Sequence, residues 1–81
     1  MNTRVAILSI IVENGDSVAA INELLHEASS HIIGRVGLPY RARGVNIICV
    51  VLDAPQDVIS ALSGKIGALD GITCKATYSN I

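Results

Sequence analysis

GVNIICVVLD, residues 44–53, is an apolar run rich in β-branched residues that opens on a glycine and stops at an aspartate. It reads as a strand with no polar face, because Val45, Ile47, Cys49 and Val51 alternate with Ile48, Val50 and Leu52. Downstream, Pro55 stands where a first helical turn tolerates proline, and Val58, Ile59, Leu62 and Ile66 recur at helical spacing. Gly67 or Gly71 can end that helix. ITCKATYS, residues 72–79, then alternates Ile72, Cys74, Ala76 and Tyr78 with Thr73, Lys75, Thr77 and Ser79, the pattern of a half-buried strand.

Upstream, HIIGRVGL (residues 31–38) reads as a short strand loosened by glycine, which Pro39 discourages from continuing. Before it, Asp16 is a candidate N-cap, and Val18, Ile21, Leu24, Leu25 and Ala28 form a second apolar stripe. TRVAILSIIVE (residues 3–13) is another uninterrupted run, closed by Asn14-Gly15. The order is β-α-β-β-α-β. With right-handed crossovers it predicts an α+β, ferredoxin-like (ACT-like) sandwich: one domain over residues 1–81, a four-stranded antiparallel sheet, and two helices on one face. The first and third strands should be central, since they are the two uninterrupted apolar runs.

Both faces of those central strands are apolar, yet the helices can cover only one. Aliphatic side chains left on the other face predict a partner, most simply a homo-oligomer, dimer or tetramer, assembled through sheet faces or edges. At 81 residues a single core is only marginally stabilising, which points the same way. Neither Phe nor Trp is present, so Ile, Val, Leu and Ala must build the core.

Composition excludes several functions. A net charge of −1 argues against general binding of nucleic acid or membrane surfaces. VAILSIIV after Arg4 is too short for a membrane span and lacks a small-residue cleavage site, so a cytoplasmic protein is expected, with Cys49 and Cys74 as reduced thiols. Residues 43–50 overlay the register of an RNA-recognition strand, but Val45 and Ile47 stand where stacking needs aromatic rings. No Ser-His-Asp arrangement or carboxylate pair is present, and ENGDS (residues 13–17) lacks the arginine of the acylphosphatase phosphate loop, so no enzyme is expected.

Three groups remain as candidate sites. Asn14, Gly15, Asp16 and Ser17 form a turn before a helix N-terminus, where free N–H donors can hold an anionic effector, although Asp16 opposes it. Arg35, Tyr40, Arg41 and Arg43 carry half of the basic charge within nine residues and suit phosphate, carboxylate or an acidic partner. His26 and His31, with Cys49 and Cys74, offer metal-ligating side chains at no recognised spacing, so no cofactor is expected.

HEASSHIIGRVGLPYRARGVNIICVVLDAPQDVISALSGKIGALDGITCKATYS, residues 26–79, resembles the iron-only hydrogenase system regulators, with linked motifs from Ile32 to Gly71. The resemblance implies an ACT-like transcriptional regulator that senses a small effector or a partner through an oligomer interface. In domains of the ACT type, the turn corresponding to residues 14–17 helps form an effector site between subunits. The fold implied is also similar to the sensor half of nickel-responsive repressors, which gives the alternative of a metal-binding sensor. Their closely spaced strand histidines and their DNA-binding segment are missing here, which argues against direct DNA contact.

Overall fold

The computed structural model describes residues 2–80. Six main elements follow one another: β1 (Arg4–Val12), α1 (Val18–Glu27), β2 (Ile32–Tyr40), β3 (Val45–Ala54), α2 (Gln56–Gly67) and β4 (Ile72–Tyr78). Single 3-10 turns at Gly15–Ser17, Ser29–His31 and Arg41–Arg43 join them. The sheet order is β2-β3-β1-β4 with every pair antiparallel, so the two uninterrupted apolar runs are indeed the central strands. This is the ferredoxin-like, ACT-like arrangement expected from the element order.

Pairing register settles which set of side chains meets the helices. Ala6, Leu8, Ile10 and Val12 of β1 and Ile48, Val50, Leu52 and Ala54 of β3 are buried. They pack with Ile21 and Leu25 of α1 and with Ile59, Leu62 and Ile66 of α2. Each fully buried aliphatic side chain contributes about 1.5–3 kcal/mol, and this layer substitutes many branched side chains for a few large rings. Intermediate burial of Cys74, Ala76 and Tyr78 against exposure of Thr73, Lys75 and Thr77 gives β4 the half-buried character its alternation predicts.

The structure corrects three local expectations. Pro39 does not end β2, which runs on through Tyr40 and pairs Pro39 with Asn46 and Tyr40 with Val45. β2 is an edge strand, paired on one side only, and that is where a sheet tolerates a proline. Asp16 does not cap α1: Asn14 Oδ1 accepts from the Asp16 N–H at 3.0 Å, and Ser17 occupies the cap position without capping through its side chain. Pro55 lies just outside α2, as its N-cap residue.

The turn after β1 is fastened to the turn before β4. The Glu13 N–H donates to the Gly71 carbonyl at 2.8 Å. The Asn14 amide donates to Asp70 Oδ2, and the Ser17 hydroxyl to the Asp70 carbonyl, each at 2.8 Å. Gly71 carries φ +70°, and Gly44, closing the β2–β3 hairpin, carries φ +65°, backbone conformations that favour glycine. At the opposite end of the sheet, Arg4 donates to Gln56 Oε1 (3.1 Å) and the Ser79 carbonyl (2.8 Å) while lying 4.8 Å from the Tyr78 ring centroid.

A candidate effector groove beside the edge strand

Side chains alternate across β2, so its charged stretch is divided between two faces. Arg35 pairs with buried Val50 and shares the helix side with it, whereas Tyr40 pairs with Val45 on the side that the helices leave open. Arg41 and Arg43 lie beyond the strand in the 3-10 turn. From Arg35 to Arg41 an extended chain runs about 20 Å. The four residues therefore do not converge in one chain, and the single positive site expected of them is not formed within it.

Arg35 alone faces a groove. On the helix side of β2 it is followed by Gly37 and Pro39, which leave the space between the strand and α1 unfilled. One end of the groove, about 320 Å³, is lined by Asn22, Leu25, His26, Ser29, Ile32 and Arg35. The other, about 300 Å³, includes Val18, Pro39, Asn46 and Ile48, with Asn22 and Arg35 shared between the two. Arg35 Nη2 donates to Asn22 Oδ1 at 3.0 Å across the middle. An amide neutralises no charge, and a guanidinium has five N–H donors, so this arginine keeps its cationic fork for a ligand. The arrangement suits a small anion with an apolar portion resting against half-buried Ile32.

Asn22 and Ser29 did not emerge from motif reading. Their signal was positional: Asn22, His26 and Ser29 recur at i, i+4 and i+7 along one border of the apolar stripe of α1. His26 joins Arg35 at the groove, while His31 ends the 3-10 turn that leads into β2. Cys49 pairs with Ser9 on the open face, and Cys74 pairs with buried Ile10 on the helix face, so the two thiols lie on opposite sides of the sheet. The four metal-ligating side chains considered together thus do not assemble in one chain. Among the described residues no group of three or more His, Cys, Asp or Glu is placed to hold a metal.

The 14–17 turn is largely engaged with its own fold. Asn14 and Ser17 are tied to Asp70, and one helix-start N–H is already met by Asn14, which leaves Gly15 and Asp16 as the exposed members. This turn and the Tyr40–Gly44 hairpin stand at the same end of the sheet, because Val12 pairs with Asn46 and Asn46 with Pro39.

Opposite the helices lies a sheet face with nothing over it. Its rows follow from the register: Leu38, Ile47, Ile11 and Thr73; then Val36, Cys49, Ser9 and Lys75; then Gly34, Val51, Ile7 and Thr77. Of the exposed large hydrophobic residues, all but Ile33, which forms a bulge in β2, stand on this face.

The sequence matches the family described as TM1266-like, iron-only hydrogenase system regulator, over residues 4–76. The chain belongs to that family. A solved structure of the uncharacterized protein TM1266 from Thermotoga maritima shares 40% identity with this hydrogenase-system family member, at a TM-score of 0.89 over 94% of this chain and 96% of that one. Two remoter structures share its fold alone. A formyltetrahydrofolate deformylase from Pseudomonas putida KT2440 (18% identity, TM-score 0.69) matches 95% of this chain with 29% of its own. The nitrogen regulatory PII-like protein CPII from Thiomonas intermedia K12, solved with ADP, AMP and bicarbonate, matches 99% of this chain with all of its own (15% identity, TM-score 0.52). Among curated proteins none matches the sequence. No helix among the described residues is long and apolar enough to cross a membrane.

Proposed function

We propose that this member of the hydrogenase-system regulator family is a non-enzymatic, homo-oligomeric regulatory module that binds a small anionic effector between α1 and β2. One observation carries the reading: Arg35 borders both halves of the groove with a neutral amide as its partner. A carboxylate or phosphate entering there gains bidentate bonds from the guanidinium, and Asn22, Ser29 and His26 stand beside it to fix orientation. Because both the strand and the helix contribute to the groove, an occupant stiffens the edge of the sheet, a change that a bound partner protein can read.

The test is a thermal-shift titration with small carboxylates and phosphates on the native chain and on Arg35→Ala. Saturable stabilisation that Arg35→Ala removes supports the site; stabilisation that survives the substitution, or none with any anion, refutes it.

A further inference from the structure

We infer that the open face of the sheet is covered by the same face of a second copy of this chain. This rests on the reading of the protein as an assembled module and names the surface that assembles it.

Three observations select that occupant. The apolar residues form a pattern: Ile7, Ile11, Val36, Leu38, Ile47 and Val51 fill successive rows over three neighbouring strands, with Val36 and Leu38 each 57% exposed. Polar residues border them along β4, at Thr73, Lys75 and Thr77, while on the other side the apolar patch runs out to the β2 edge, so it is one continuous surface with a polar margin on one side. Within the strands, the charges on this face are Lys75 and Asp53, one of each sign, so the face neither repels its own copy nor selects a strongly charged partner. A two-fold dimer asks only that one patch meet itself.

Area is sufficient. Four strands about 4.8 Å apart, each lending about seven residues at ~3.3 Å, span roughly 400 Å² in projection. Side-chain relief enlarges the accessible area, so two such faces together bury upward of about 1,000 Å², the threshold for a specific interface. The edges are poorer docking sites. The edge strand β2 carries Pro39 and a bulge at Ile33, and the edge strand β4 carries Lys75, features that blunt strand-to-strand pairing.

Cys49 reports on this arrangement because it sits in the middle row of the face, exposed in the single chain, whereas Cys74 lies on the helix side. The experiment combines sedimentation mass at micromolar concentration with the rate of iodoacetamide labelling at each cysteine, resolved by peptide mass. Face-to-face assembly gives twice the chain mass or a multiple of it. It also slows Cys49 labelling roughly tenfold at concentrations ~100-fold above the dissociation constant, since only free monomer reacts. Ile7→Lys then yields a folded monomer by circular dichroism with Cys49 freely labelled. Should that variant unfold, Val36→Lys, on the edge strand, replaces it. A native monomer overturns the proposal, and so does a dimer whose Cys49 labels as fast as that of the monomeric variant, which is the signature of edge pairing. Anion binding by the monomeric variant separates the two readings, because the groove is complete within one chain.

Discussion

Gly71 approaches Asn14 so closely that a Cβ on the glycine would lie 2.5 Å from the Asn14 Cβ and 3.0 Å from its backbone nitrogen. The glycine is also held at φ +70°. Gly71→Ala therefore combines left-handed strain with a backbone clash, and a loss of about 2–4 kcal/mol is expected. Gly44, at φ +65° with open space around it, isolates the first cost, so Gly44→Ala should lose only about 1–2 kcal/mol. Urea denaturation of the two variants checks the order; equal losses would deny the Asn14 contact any weight.

Arg35 is an exposed residue, and its removal should barely touch folding. Arg35→Ala is expected to change stability by no more than about 0.5 kcal/mol while abolishing stabilisation by carboxylates or phosphates. Arg35→Lys keeps the charge but not the planar fork, so it should retain only part of the response. Calorimetric titration of the three proteins with one responsive anion measures both effects.

Cys74 links folding to alkaline pH. Burial pushes its thiol above the ordinary value of 9.0, against a smaller downward pull from the Ser63 hydroxyl 3.6 Å away. The unfolded chain therefore loses this proton first. The associated stability is complete below the ordinary thiol value and is lost as pH climbs through the raised folded one. Denaturation midpoints measured from pH 8 upward (about one unit either side of the ordinary thiol range) should fall less steeply for Cys74→Ala than for the native chain. Parallel pH profiles would remove Cys74 from the account.

Ile7 and Ile10 share a strand but serve different surfaces, being 42% and 0% exposed. Ile10→Ala empties core volume and should cost about 2–5 kcal/mol at any protein concentration. Ile7→Ala should lower the melting temperature mainly where the native protein is assembled, so its effect grows with concentration. Melting curves over a hundredfold dilution range (about two decades, enough to cross a mass-action transition) distinguish the two.

Much of this architecture is written in hydrophobic period. β1 and β3 are apolar on both faces and β4 alternates, and those facts alone place the first two centrally. Which face met the helices was not legible, because Ile7 and Ile10 look alike until register assigns them. Pro39 misled for a related reason: whether a proline ends a strand or rides its rim depends on which side pairs, and β2 pairs only with β3. The groove was half visible. Arg35 stood out as charge, but its separation from Tyr40 required strand alternation, and its meeting with Asn22 required two elements to dock.

β1 also imposes an order on how the molecule comes into being. Its partners are residues 46–54 on one side and residues 72–78 on the other, so this strand is made before either of its neighbours. During translation it has no permanent neighbour until those later segments have emerged, and an apolar strand with unpaired edges is prone to associate wrongly. Contacts this distant along the chain slow the final closure as well. Folding of this chain therefore rests on joining segments far apart in sequence as well as on the stability of the finished sheet.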